Sequence, residues 1–147
     1  MQFYIKKECI VKKEVKYDGE GLFTENSNSN LSIYLGTFLF SIDFNLDDKR
    51  AYDFGGILPK IIKKKRIDDF IYVEDASLYF ESKENFYSGC NKRIKFDNHI
   101  YLDEKNDTLI IGKYDYNKIA YRIFDNLFIQ LEDNYLIAVI IKKLRVA

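Results

Sequence analysis

The sequence predicts an all-β fold, antiparallel and rich in hairpins and meanders, on three observations. Apolar residues recur with period two, turn-forming residues cluster at short intervals, and aromatics abound while Pro occurs once. A period of two sends alternate side chains to opposite faces of a strand, as a half-buried sheet requires. Tyr and Phe, twelve of each, suit a pleated surface. A chain of 147 residues is expected to form one domain over 1–147. The architecture expected is a sandwich or irregular barrel of roughly ten strands, with at most one short helix near Lys60 or Glu84.

Residues 3–16 place Phe3, Ile5, Cys9, Val11 and Val15 mostly two apart, which predicts one long strand or two short ones. Residues 18–30 carry Gly19, Gly21 and the run Asn26-Ser27-Asn28-Ser29-Asn30, and read as a loop. Beyond them Phe40, Ile42, Phe44 and Leu46 alternate with Ser41, Asp43, Asn45 and Asp47, an apolar face backed by a polar one. Ile33-Tyr34-Leu35 and Phe38-Leu39 are apolar on both sides, which predicts burial on both faces. Asp47-Asp48-Lys49 makes a turn, residues 50–54 return, and Gly55-Gly56 and Pro59 end the strand. Leu58, Ile61 and Ile62 fit one face of a short helix, but the lysines of 60–66 equally suit a guarded edge strand. Residues 70–74, 77–82 and 92–96 read as strands, with breaks at 83–85 and 88–91.

The cleanest pattern lies in residues 93–146, where it recurs. Arg93-Ile94-Lys95-Phe96-Asp97-Asn98 leads into His99-Ile100-Tyr101-Leu102 and the acidic break Asp103-Glu104. The same order returns at Arg122-Ile123-Phe124-Asp125-Asn126, then Leu127-Phe128-Ile129-Gln130-Leu131 and Glu132-Asp133. Each unit reads as strand, Asp-Asn turn, strand and acidic turn, because Asp and Asn tolerate the left-handed backbone of tight hairpins. Third strands follow at 108–113 and 135–143. An earlier copy begins at Arg66, so an internal repeat of about 28 residues over 66–147 is one reading and regular hairpin spacing the other.

Charge and composition narrow the function classes. Basic and acidic residues balance at 23 each, without the basic excess that nucleic acid or an anionic membrane favours. The first residues hold no apolar run of signal-peptide length, and the run 31–40 is about half a membrane span. A soluble cytoplasmic protein is expected. Cys9 and Cys90 match no metal spacing and read as two reduced thiols. The one histidine, His99, has no nucleophile or metal partner by motif, and the adjacent carboxylate pairs read as turn formers. No catalytic residue, cofactor or metal is assigned, and a non-enzyme is expected.

The aromatics point to recognition. If Ile71-Tyr72-Val73 and Ile100-Tyr101-Leu102 are strands, their aliphatic residues share one face and Tyr72 and Tyr101 the other, with Gln130 in the equivalent place of the last unit. Tyrosine offers rigid area with a polar tip, and acidic residues follow directly. Tyr72, Glu74, Asp75, Tyr101, Asp103 and Glu104 are therefore the candidate partner-binding residues. The function expected is non-catalytic inhibition of another protein, as a bacterial immunity protein neutralises a basic toxin domain. The alternative is a β-barrel that lines a cavity with its phenylalanines around a small apolar ligand.

Overall fold

The computed structural model describes residues 1–25, 28–60, 62–70 and 72–144. Asn26 and Ser27 of the expected loop, Ile61 of the helix-or-edge segment, Ile71 of the Tyr72 alternation and the end of the repeat at 145–147 lie outside the described residues. Fifteen strands form among the described residues, and no helix. In chain order they are β1 (Gln2–Lys6), β2 (Lys16–Tyr17), β3 (Gly21–Phe23), β4 (Leu31–Leu35), β5 (Leu39–Phe44), β6 (Ala51–Ile57), β7 (Lys63–Lys64) and β8 (Val73–Asp75). Then come β9 (Ser77–Glu81), β10 (Cys90–Ile94), β11 (Ile100–Asp103), β12 (Thr108–Gly112), β13 (Ala120–Arg122), β14 (Leu127–Glu132) and β15 (Tyr135–Lys142).

The strands build three open sheets rather than a closed barrel. One is ordered β10-β4-β5-β6-β3-β2, another β7-β11-β12-β15-β14-β13-β8, and the third is the pair β1-β9. The strand count exceeds the expected ten because short pieces recruit edges. Three of those edges are parallel: β10 on β4, β7 on β11 and β8 on β13. The fold is therefore sandwich-like and mixed, not purely antiparallel. No helix among the described residues is long and apolar enough to cross a membrane.

Alternation in β5 behaves as expected on its apolar side: Phe40, Ile42 and Phe44 are fully buried. Its polar side departs from expectation, since Ser41 is also buried and donates to Asp43 (2.6 Å). The expected double burial of the preceding residues is corrected too. Leu31, Ile33 and Leu35 are buried, whereas Ser32 and Tyr34 face outward half-exposed and Leu39 is largely exposed. Gly55 and Gly56 lie inside β6 rather than ending it. A Cβ on Gly56 would stand 2.0 Å from the Leu39 carbonyl oxygen, and one on Gly21 would stand 2.3 Å from that of Gly56. These glycines let the backbones of β3, β5 and β6 approach where a side chain would hold them apart.

Other boundaries move for local reasons. Residues 7–15 are not strand; they dock on the turn after β13, where Val11 donates to Ile123 (3.1 Å) and Asp125 to Lys13 (2.9 Å). The Asn126 side chain completes this contact like a strand partner, accepting from the Val15 N–H (2.8 Å) and donating to its carbonyl (3.0 Å). Residues 21–23 of the expected loop form β3, and Cys90-Asn91 of an expected break begin β10. Lys63–Lys64 is the guarded edge strand, not a helix.

The main core lies between the two large sheets. Ile33, Phe40, Ile42, Phe44 and Phe54 from one meet Leu109, Ile111, Ile129, Val139 and Ile141 from the other. The β1–β9 ribbon closes one side: Phe3 donates to Asn134 (2.8 Å) and Phe80 to Lys49 (3.1 Å), tying it to both sheets. The phenylalanines that would line a barrel cavity pack on one another, Phe44 against Phe80 at 5.3 Å and Phe40 against Phe54 at 6.2 Å. Cys9 and Cys90 are free thiols.

The two Asp-Asn steps differ although their residues match. After β13, the chain turns through Asp125-Asn126 into its neighbour β14, with Tyr121 opposite Ile129. After β10, the chain passes Asp97-Asn98 and leaves one large sheet for the other, so the expected hairpin is absent there. Residues 66–70, the start of the third copy, form no strand.

Candidate functional site

The outer face of the seven-stranded sheet, turned away from the main core, carries the candidate chemistry. Leu109, Ile111, Val139 and Ile141 point to the core, so Ile110, Ala138 and Ile140 between them point outward, with Phe128 and Ala120 beside them. Such continuous apolar runs need cover on both faces. A strap, residues 65–70, supplies it. Lys65 continues the β7 pairing by donating to Leu102 (3.0 Å), and Phe70 then lies over Phe128 at 5.0 Å and Tyr114 at 6.0 Å.

Polar contacts hold the strap down. Lys142 donates to Asp69 (2.6 Å) and sits 4.1 Å from the centre of the Phe70 ring, a cation on an aromatic face. The Tyr114 hydroxyl donates to the Asp68 carbonyl (2.7 Å). Burial, with Asp69 and Asp68 nearby, pushes the Tyr114 phenol well above its ordinary value, so it stays a donor. Gln130, fully buried, pins a second cover: it accepts from the Asp115 N–H (3.0 Å) and donates to the carbonyls of Asp115 (2.6 Å) and Lys118 (3.2 Å).

The six predicted residues do not converge. β8 and β11 stand at opposite ends of the sheet order, five strand spacings apart, or about 24 Å in a flat sheet. Nor do Tyr72 and Tyr101 share a face. Tyr101 pairs with outward Ile110. Val73 and Asp75 pair with outward Ala120 and with Arg122, which leaves Tyr72 and Glu74 on the other side.

Most of the acidic residues already have partners. Asp75 takes the Arg122 guanidinium in a two-pronged pair, both contacts 2.9 Å, which holds its carboxyl below the usual range. Asp103 is buried and shapes its own turn, accepting from the N–H of Ile67 (3.1 Å) and the side chain of Asn106 (2.9 Å). Those donors hold its carboxyl low as well. Glu104 pairs with Lys64 (2.6 Å), and Glu74 lies 3.8 Å from Lys7.

What remains open differs between the two ends. At the β8 end, Tyr72 is 56% and Val73 48% exposed, flanking a shallow groove with Glu74, Asn117 and Ile119. The Tyr72 carbonyl accepts from Ala120 (2.9 Å) and the Ala76 N–H donates to Arg122 (3.0 Å), so in this parallel pair the N–H and C=O of Val73 and Asp75 point off the edge. At the β11 end, Tyr101 is half-buried, stacked on His99 at 5.9 Å with the Lys65 ammonium 5.0 Å from its ring centre.

Sequence reasoning missed Phe70, Lys142 and Gln130 as the residues that cover the outer face. The signal was present in Leu109-Ile110-Ile111 and Ile140-Ile141, runs apolar at every position. No group of three or more His, Cys, Asp or Glu with metal-binding proximity occurs among the described residues. No protein-family model matches this chain, and no curated protein is significantly similar to it.

Proposed function

We propose that this chain is a non-catalytic protein-binding protein that inhibits its partner, in the manner of an immunity protein that neutralises a bacterial toxin, and that the partner docks on the β8 edge. The supporting observation is the open backbone of Val73 and Asp75 beside exposed Tyr72 and Val73. A partner segment in extended form gains main-chain hydrogen bonds along such an edge and seats side chains against the tyrosine. Tyr72 is the anchor in this reading. Tyr101, Asp103 and Glu104, expected to join it, belong to the other end of the sheet and take no part.

Charge plays a smaller part than the sequence led one to expect. Asp75 and Asp103 are committed to Arg122 and to the backbone, and Glu74 and Glu104 each lie beside a lysine. Attraction of a basic toxin domain then rests on Glu74, whose lysine contact is long and exposed. The test is capture of the partner from the native host, followed by binding kinetics. Tyr72→Ala is expected to speed dissociation and cost about 2 kcal/mol or more, as at an interface hot spot. Glu74→Gln is expected to slow association mainly at low salt. A tight partner indifferent to both changes places the interface elsewhere.

A further inference from the structure

The cleft at the β11 end carries an inference separate from the β8 edge. It lies on the outer face between the strap and residues 112–116, with a volume of about 480 Å³, within the range of small-molecule sites. Three cations line it: Lys65 and Arg66 from the strap and Lys113 from beyond β12. None of them forms an ion pair among the described residues. Lys65 rests on the Tyr101 ring instead, so its charge is positioned without being neutralised.

Two carboxylates also line the cleft, and one of them is occupied. Asp97 accepts from the N–H of His99 (2.9 Å) and from its ring Nδ1, and these bonds, with the nearby Lys113 charge, hold that carboxyl below its usual range. The imidazole is thereby oriented, and its Nε2 makes no hydrogen bond among the described residues. Asp68 is the second, on the strap beside Tyr114. The cleft on the other side of the strap makes a useful contrast. There Lys142 is paired with Asp69, and Asp103 is bound to Ile67 and Asn106. Two acidic side chains are thus held in direct contacts, whereas in the Lys113 cleft Lys65 and Arg66 have no ion-pair partner among the described residues and Lys113 acts on Asp97 through its field alone.

Four rings, those of His99, Tyr101, Tyr114 and Tyr116, complete the wall. Tyr116 is 45% exposed and unstacked among the described residues. Three cations without a direct ion pair among the described residues, an arginine included, outnumber the two carboxylates and suit a group with several charged oxygens, and flanking aromatics suit a planar ring. We propose that this cleft binds a small organic phosphate bearing a planar ring, of mononucleotide size. Arg66, Lys113 and Lys65 hold the phosphate, and Tyr116 receives the ring.

The experiment is calorimetric titration of the full chain with adenosine monophosphate and, separately, inorganic phosphate, each at low and high salt. The expected result is saturable, salt-sensitive binding of the nucleotide, tighter than that of phosphate. Arg66→Gln and Lys113→Gln should each weaken it about tenfold or more, which corresponds to about 1.4 kcal/mol. Tyr116→Ala should weaken the nucleotide but leave phosphate unchanged, and Lys12→Gln, an exposed lysine on the segment docked against the β13–β14 turn, should change neither. The cleft variants alter exposed side chains, and an unchanged far-UV spectrum verifies that they fold. No saturable binding of the nucleotide overturns the proposal, as does binding that Lys113→Gln leaves intact or that Lys12→Gln weakens equally. Partner capture through Tyr72 is read independently, so either reading can fail alone.

Discussion

The two faces of the seven-stranded sheet are made from the same strands and are covered in different ways. The inner face meets a second sheet, and its Leu109, Ile111, Val139 and Ile141 are essentially inaccessible to solvent. The outer face, with Ile110, Ala138 and Ile140, is as apolar but is closed by one strap and a pinned loop. Between the sheets core side chains pack on one another, as Phe40 does on Phe54. A strap across a sheet leaves a cleft on either side, and those clefts gather the charged residues of this region. Stability and candidate chemistry are thus divided between the faces.

That division is open to test by substitution. The largest effect is expected on the inner side: Phe44→Ala should cost about 3–5 kcal/mol in urea unfolding, and a loss below about 1 would deny that Phe44 anchors the inter-sheet core. Gln130→Ala should come next, at about 1–3 kcal/mol, since it strands the Asp115 and Lys118 backbone groups that the amide satisfies. Phe70→Ala should cost about 1–2 kcal/mol, less than a main-core phenylalanine, because the strap can open locally. Faster tryptic cleavage near Lys65 and Arg66 with an unchanged far-UV spectrum would mark that opening. A cost equal to that of Phe44→Ala would show instead that both faces unfold as one unit.

Asp103 sharpens the comparison through pH. Its carboxyl is held low in the folded chain, so the stability it contributes is fully present above the ordinary carboxylate value of about 3.9. That contribution is lost as pH falls through the lowered folded value. The parent should therefore lose more stability between about pH 5 and pH 2 than Asp103→Asn does, measured by urea midpoints at each pH. The smallest effect belongs to Tyr72→Ala, which should change folding stability by no more than about 0.5 kcal/mol, as at an exposed site without buried partners.

The fold class was legible because period two is a property of neighbouring residues. Phe40, Ile42 and Phe44 announce a buried face by themselves, and Thr108–Gly112 and Tyr135–Lys142 form strands close to where the pattern puts them. What pairs with what was not legible, since strand partners are chosen across the whole chain. Arg93 and Arg122 begin nearly identical words, yet β10 finds a parallel partner in β4 while β13 turns back on β14. The separation of the candidate residues was illegible for the same reason. Tyr72 and Tyr101 look equivalent in their local sequence, but Tyr72 precedes an edge strand on one side of the sheet and Tyr101 belongs to the other. Asp103 resembles any turn aspartate until Ile67, far away in sequence, is seen to donate to it.

The strap has a consequence for the order of assembly. Its two flanking strands, β7 and β8, bound the seven-stranded sheet at both ends, yet their partners β11 and β13 lie later in the chain. During synthesis from the N-terminus, residues 63–75 emerge before any strand exists for them to join. The central β12–β15–β14 array must form first, through contacts between distant residues, which makes for slow closure. Until then Phe70 and the lysines beside it stay exposed on an unpaired segment, the kind of species on which chaperones act.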